Sequence, residues 1–124
     1  MRIVIPLIPR TKKNSQQIIK VKGRYMILPS KAYKQYEKDC APFLRHVDPF
    51  LGACNVKCEY FMPTRRKVDL VNLQEATLDI LVRLGILQDD NSNVVVSMDG
   101  SRVHYDKDNP RTEIEITEVE EWED

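Results

Sequence analysis

Strict alternation of side-chain character in two segments constrains the fold of this chain more than any other feature. Successive side chains of a β-strand point to opposite faces of a sheet, so an alternating segment has one buried face and one outward face. Residues 112–119 alternate charged and apolar side chains, which predicts a strand with one solvated face. In the other segment, Cys54, Val56, Cys58, Tyr60 and Met62 alternate with Ala53, Asn55, Lys57, Glu59 and Phe61.

The three cysteines fit this sheet better than a disulfide framework. Cys54 and Cys58 fall on the same face of the predicted strand and are expected to be small core residues, as is Cys40. An odd number of cysteines, in a chain whose start does not resemble a secretory signal, argues against disulfides. Structural zinc at Cys54 and Cys58 is the alternative, but neither His46 nor His104 has a ligand-like spacing to them.

The expected fold class is α+β, with a mixed sheet and two main helices in one domain over residues 1–124, of which 119–124 form an acidic tail. No apolar run is long enough to cross a bilayer, so we expect a cytoplasmic protein without membrane contact.

The first predicted elements are a strand over 2–8, a hairpin of 18–21 and 25–28 around Lys22-Gly23, and a helix from Ser30 to about His46, whose apolar face carries Tyr33, Tyr36, Cys40 and Phe43. A second helix is predicted over about 70–84, with Asp69 at its start and Gly85 past its end. A short buried strand follows at 94–96, and Arg102–Tyr105 is expected to pair back against it across an Asp99-Gly100 turn.

Charge is sorted along the chain although its formal sum is zero. Residues 1–67 contain 15 Lys or Arg and 4 Asp or Glu, whereas residues 68–124 contain 4 and 15. Asymmetry of this kind is a hint of nucleic-acid contact. The alternative is a basic and an acidic face that pair with each other or with solvent.

Acidic residues gather in and after the second predicted helix. Leu70, Leu73, Ile80, Leu81 and Leu84 form its expected core face, and the opposite side carries Asn72, Glu75 and Asp79. Asp69 precedes the helix, and Asp89-Asp90 follow it. An amphipathic helix with a solvated face and an acidic N-cap explains part of this pattern.

The combination of these acids with neighbouring cations points to chemistry. Carboxylates are the hard oxygen ligands that Mg²⁺ or Mn²⁺ prefers, and Arg65-Arg66-Lys67, directly before Asp69, suit a phosphate backbone. Together they are typical of metal-assisted phosphodiester hydrolysis, in which the metal lowers the pKa of a water nucleophile. Lys12, Lys13 and Asn14, in a polar loop, are further candidates for DNA-backbone contact, with an ordinary solvated loop as the alternative.

This region resembles the RusA family of Holliday-junction resolvases, which is encoded by bacteria and especially by phages and prophages. The resemblance rests on Met62-Pro63, Arg65-Arg66, Asp69-Leu70, Asn72-Leu73-Gln74, Asp79-Ile80-Leu81, and Leu87-Gln88-Asp89-Asp90 before Val94-Val95. It implies a homodimeric endonuclease that binds four-way DNA junctions and cuts two strands by Mg²⁺-dependent hydrolysis, with no small-molecule cofactor. Mn²⁺ is a possible substitute for Mg²⁺, and recombination and repair are the implied processes.

The resemblance carries the catalytic, metal-binding acids over to Asp69 and Asp90, with Asp89 beside it, and Asp79 also matches a family Asp. Two positions depart from the family. Val71 stands where a second Asp is expected, and Glu75 stands where the best-known pattern has Lys. One hypothesis is that Glu75 supplies the carboxylate missing at position 71. The other is a catalytically degenerate protein that binds junctions without cutting them.

Two aromatic residues outside the acidic cluster carry open alternatives. Phe61 either wedges between bases at a junction or has an ordinary packing or dimer-contact role. Trp122, in the acidic tail, is expected to pack on its own domain or on a partner subunit.

Overall fold

A computed structural model describes residues 1–12, 17–28 and 30–120 of the chain. Lys13, Asn14 and Trp122 lie outside the described residues. The elements along the described ranges are β1 (Arg2–Ile5), β2 (Gln17–Val21), β3 (Arg24–Leu28), α1 (Lys31–Leu44), β4 (Cys54–Met62), α2 (Leu70–Arg83), β5 (Val95–Ser97), β6 (Arg102–Tyr105) and β7 (Arg111–Glu118).

The main sheet is mixed, as an α+β fold requires. Its order is β1, β7, β4, with β5 and β6 both along the far edge of β4. β7 is antiparallel to β1 and β4, whereas β5 and β6 run parallel to β4. The C-terminal ends of β1, β4 and β6 therefore lie at the same end of the sheet. We call this end, where these three strands stop, the C-terminal edge.

The predicted pairing of Arg102–Tyr105 back across the Asp99-Gly100 turn is wrong. β6 continues in the direction of β5 along β4, because β4 is nine residues long and each short strand pairs with only part of it. Asn55 of β4 holds the intervening turn, since its amide donates to the Asp99 carbonyl and its Oδ1 accepts from the Asp99 N–H at 2.8 Å. The Cys58 N–H lies between the parts of β4 that pair with β5 and with β6, and it donates to Ser101 Oγ at 3.0 Å.

Alternation on β4 and β7 sorts their side chains as predicted. Cys54, Val56, Cys58 and Tyr60 are buried, and so are Thr112, Ile114 and Ile116. The outward face of the same strands carries charged pairs, among them Lys57 with Glu59 and Arg111 with Glu113. The sheet thus has one apolar face and one polar face.

Both helices contribute to the core formed on the apolar face. Ser30 caps α1 as predicted, with its Oγ accepting the Tyr33 N–H at 3.1 Å. Phe43 does not lie on the buried stripe: Leu44 takes that place, because it follows Cys40 by four residues and so lies closer to it around the helix. Leu84 is also outside the core, since it is the C-cap residue, where the backbone leaves the helical conformation.

The three cysteines are free thiols in this core, as predicted. Cys40, Cys54 and Cys58 are each 0% exposed. Burial raises the pKa of Cys58 to about 12 and that of Cys40 to about 11. They are small apolar side chains in this fold, because a neutral thiol has little ligand or nucleophile character.

The remaining strands follow the sequence pattern with two differences. β2 and β3 form the predicted antiparallel hairpin, and both turn residues, Lys22 and Gly23, have the positive φ that a tight two-residue turn requires. β1 ends at Ile5, three residues earlier than predicted. β5 is half-buried instead of buried, because it lies at the edge of the sheet and, among the described strands, pairs only with β4.

A buried hydrogen-bond chain positions α2 on the sheet. The Thr77 hydroxyl donates to the Leu73 carbonyl at 2.9 Å, so it accepts from the Tyr60 hydroxyl at 2.7 Å. Burial raises the pKa of Tyr60, which keeps that donor protonated. This contact fixes α2 along β4, with its first residue at the C-terminal edge.

Candidate active site

Asp69 begins α2 at the C-terminal edge of the sheet. Its Oδ1 accepts the Val71 N–H at 2.9 Å and the Asn72 N–H at 3.3 Å. An N-cap carboxylate satisfies amides that lack a partner within the helix and interacts favourably with its positive end. The side chain is exposed, and within the described residues its Oδ2 accepts no hydrogen bond. Asp69 thus has a capping role and also presents one carboxylate oxygen to solvent.

The loop between β4 and α2 brings cations to the same edge. Arg66 and Lys67 are exposed, and neither forms an ion pair within the described part of the chain. The Arg65 guanidinium lies 4.3 Å from the ring centre of Tyr105, at the end of β6. A phosphate approaching Asp69 would therefore meet positive charge from this loop.

Phe61 packs against neighbouring side chains of its own sheet, as the second of its two predicted roles requires. Its ring stacks on His104 at a centroid distance of 4.5 Å, and the Arg111 guanidinium carbon lies 3.7 Å from its centre. These residues are its cross-strand neighbours on β6 and β7. The ring thus contributes to the polar face of the sheet.

Lys12 and Asp79 form an ion pair that ties the segment after β1 to α2. Asn72 and Asp79 are half-buried, and Glu75 is exposed, as expected for the side of the helix away from its core face. Since Asp79 already neutralises Lys12, this pair favours a structural role for both residues. DNA contact by Lys12 stays a prediction.

Asp89 and Asp90 lie in the loop that follows α2. Asp89 Oδ1 accepts the Asp90 N–H at 2.7 Å, and its Oδ2 accepts from Asn91 Nδ2 at 3.0 Å. The Asp90 backbone hydrogen bond is the main reason that the pKa of Asp89 lies below its ordinary value. Asp90 is exposed.

Within one chain, Asp69 and the Asp89-Asp90 pair are far apart. They are separated by the 14 residues of α2, which at 1.5 Å per residue span roughly 20 Å. The loop of Asp89 leads to Val94, whose carbonyl accepts the Cys54 N–H at the start of β4, whereas Asp69 follows the end of β4. Among the described residues, no three or more His, Cys, Asp or Glu side chains lie close enough to hold a metal together.

Within the described residues of one chain, the predicted carboxylates therefore do not form a single cluster, and their roles as metal ligands stay predictions. The sequence-based prediction considered only the angle of residues about the axis of α2 and left out their separation along it, which is 1.5 Å per residue. Because β4, α2 and β5 form a parallel crossover, the chain must return to the start of β4, and it takes Asp89 and Asp90 with it.

Sequence reasoning missed the ordered loop between β6 and β7. Asp106 Oδ1 accepts the Asn109 N–H at 3.1 Å, and Arg111 donates to Oδ2 at 2.9 Å. The Asn109 backbone contact, followed by Arg111, lowers the pKa of Asp106. An Asp two or three residues before the amides that it accepts is the available sequence signal. This loop borders the C-terminal edge beside Tyr105.

Comparison with known proteins agrees with this architecture. None of the curated proteins matches the chain. The described part of the structure has no helix that is long and apolar enough to span a membrane. The family model of endodeoxyribonuclease RusA matches residues 6–117, which is most of the 124-residue chain and includes the C-terminal edge, α2 and the Asp89-Asp90 loop. The chain therefore belongs to the RusA family of Holliday-junction-resolving endodeoxyribonucleases.

Proposed function

We propose that this protein hydrolyses phosphodiester bonds in four-way DNA junctions with the help of Mg²⁺, which Mn²⁺ can replace. The observation that carries the proposal is the exposed carboxylate of Asp69 beside the cationic loop of Arg66 and Lys67. Membership of the RusA family supplies the substrate class. A polyanion and a hard metal ion are the two partners that this juxtaposition suits.

The residues have separate tasks in this proposal. Asp69 holds the metal through the oxygen that the helix cap leaves without a partner, and Arg66 and Lys67 hold phosphates of the strand. When bound, the metal supplies an acidified water and neutralises charge on the phosphate. Since Mg²⁺ commonly takes one or two carboxylates together with substrate phosphates, Asp69 is a suitable ligand, and another acid nearby would complete a pair.

We infer that a second copy of the chain supplies that acid. In a two-fold dimer, the start of one α2 can lie beside the end of the other, so that Asp69 meets the partner's Asp90 and the partner's Asp89. This arrangement makes two equivalent sites, as cutting two strands requires. Glu75, which lies on α2 about two turns after Asp69, is the next candidate ligand.

A non-cleaving junction-binding protein is the second candidate function. Val71 favours this binding protein. The family resemblance leads us to expect an Asp at this position, but the 66% exposed valine side chain offers no metal ligand. Both functions predict junction binding, and only the first predicts strand scission.

The test is incubation of a labelled four-way junction with Mg²⁺, followed by complementation between inactive variants. Asp69→Asn and Asp90→Asn homodimers are each expected to lose cleavage, whereas Asp48→Asn, an exposed acid that is not among the proposed ligands, is expected to retain it. Mixing the two inactive variants gives about half heterodimers, each with one intact composite site and one doubly altered site.

Recovery of single-strand nicking in the mixture is the expected result. No recovery would contradict the shared site, since sites built from one chain each would keep one altered carboxylate. A wild-type protein that binds the junction but leaves both strands intact in Mg²⁺ and Mn²⁺ would contradict the enzyme and favour the binding protein.

A further inference from the structure

A cavity of about 640 Å³ opens at the C-terminal edge, next to Asp69. Three chain segments enclose it: residues 8–11 after β1, the start of α1, and residues 62–68 at the end of β4 and in the loop that follows. We call it the edge cavity. Its wall ends at Val68, the residue directly before Asp69.

The charge of the edge cavity has one sign. Arg10, Arg66 and Lys67 line it, and no Asp or Glu does. Within the described residues, none of the three cations has an ion-pair partner, whereas other cations of the fold, such as Lys12 and Arg111, do. Three cations around one concave space repel each other, and a bound anion would relieve that repulsion.

A neighbouring cavity shows that a wall with cations and no carboxylates is not general in this fold. It measures about 580 Å³ and shares Arg10 with the edge cavity, but its wall also holds Asp39 and Asp108. Its charge is therefore mixed. Of these two cavities, only the edge cavity has a wall suited to an anion.

Two further groups in the wall favour an anion with several acceptor oxygens. α1 begins there and has no acidic residue in its first turn, so no carboxylate of that turn offsets the positive end of the helix dipole. Thr11 is only 6% exposed, and its hydroxyl has no hydrogen-bond partner among the described residues. A buried hydroxyl without a partner is uncommon, so Thr11 holds an unused donor in a residue that lines the edge cavity.

We propose that the edge cavity binds a phosphate of the DNA strand adjacent to the phosphate that is cut. The assignment rests on the proposed nuclease function. Val68, in the wall of the edge cavity, directly precedes Asp69, so an anion in the cavity would lie beside the position proposed for the scissile phosphate. Arg10 and Arg66 bind the flanking phosphate, and this contact positions the scissile phosphate at Asp69.

The first measurement is junction binding without metal at several salt concentrations. Each phosphate contact contributes about 0.9 to the slope of log K against log salt, so an Arg10→Gln, Arg66→Gln double variant should lower the slope by about 1 to 2. Arg45→Gln removes one exposed cation at the C-terminal end of α1 and serves as the control, with little expected change. Equal slopes for the double variant and the wild type would overturn the proposal.

The second measurement identifies the phosphate. Phosphates around the cleavage site are replaced one at a time by neutral methylphosphonates, and each DNA is tested with the wild type and the double variant. At the position adjacent to the cut, the two changes should be non-additive, because the variant has already lost what the neutral linkage removes. Additive effects at every position would overturn the assignment, even if inorganic phosphate binds to the cavity.

Titration with inorganic phosphate, followed by ³¹P NMR, separates this proposal from the nuclease function. Phosphate binding by the wild type that the double variant loses supports an anion site, even if the wild type leaves junctions uncut. Identical titrations of the two proteins overturn the site, even if junctions are cut.

Discussion

Asp69 is expected to act twice, as helix cap and as metal ligand, and two substitutions separate these roles. Asn is as good an N-cap as Asp, so Asp69→Asn keeps an oxygen that can accept the Val71 and Asn72 amides at the start of α2. It removes the negative charge that Mg²⁺ prefers. Asp69→Ala removes both the cap and the charge.

The magnitudes differ enough to be measured. Losing an N-cap costs about 1 kcal/mol, and a chain of 124 residues has an unfolding entropy of roughly 0.26 kcal/mol/K. Asp69→Ala should therefore lower Tm by about 4 °C through loss of the cap, and at low salt by roughly 1–4 °C more through loss of the charge. Asp69→Asn loses only the interaction of the charge with the helix dipole, about 0.3–1 kcal/mol, which corresponds to roughly 1–4 °C at low salt and less at high salt.

The cleavage rate, unlike Tm, should fall to a similar extent in both variants. Losing a metal ligand forfeits several kcal/mol of transition-state stabilisation, so both variants should cut a four-way junction at least about 100-fold more slowly than the wild type. Thermal unfolding at high salt and single-turnover cleavage in Mg²⁺ are the two assays. Asp69→Asn with full cleavage would refute the ligand role, and Asp69→Ala with an unchanged Tm would refute the capping argument.

Three further predictions concern neighbouring residues. Glu75→Ala should lower Mg²⁺-dependent cleavage if Glu75 replaces the acid missing at position 71, and full cleavage by this variant would exclude that hypothesis. A Lys12→Ala, Lys13→Ala double variant should show a shallower salt dependence of junction binding than the wild type, and the same slope would mean that these lysines contact no phosphate. The pKa values of Asp106 and Glu113 lie below their ordinary 3.8 and 4.5, partly because both accept hydrogen bonds from Arg111. A carboxyl group with a depressed pKa stabilises the fold above its ordinary pKa, and this contribution is lost as the pH falls through the pKa of the folded state. From about pH 5 downward, the free energy of unfolding should therefore fall more steeply for the wild type than for Arg111→Gln. Parallel curves of unfolding free energy against pH would contradict this.

The proposed composite site would give Asp89 and Asp90 a role that one subunit does not offer. Their loop lies at the far end of α2 from Asp69, so monomeric protein should have incomplete sites. Activity that falls with dilution in parallel with dimer dissociation would agree with this proposal.

Much of the fold followed from local patterns. Alternation on β4 and β7 predicted which side chains are buried, since strand geometry leaves only two faces. The capping residues Ser30 and Asp69 marked the starts of both helices, because their side chains bond amides within the next three residues. The path of β6 was not predictable in this way, since pairing with β4 depends on residues 43 positions apart, such as Cys58 and Ser101.

The sequence by itself determined the chemistry available to this protein: most of the carboxylates after residue 68, most of the cations before it, and the motifs of the RusA family. These are properties of residue types and short spacings, which persist whatever the chain does around them. Only the tertiary structure decided distances. The return of three separate segments to the C-terminal edge assembles the cationic edge cavity, and the parallel pairing of β5 beside the start of β4 brings the Asp89-Asp90 loop towards that end of the sheet. Neither follows from local spacing, because contacts between segments distant in sequence are set by how the helices and strands pack.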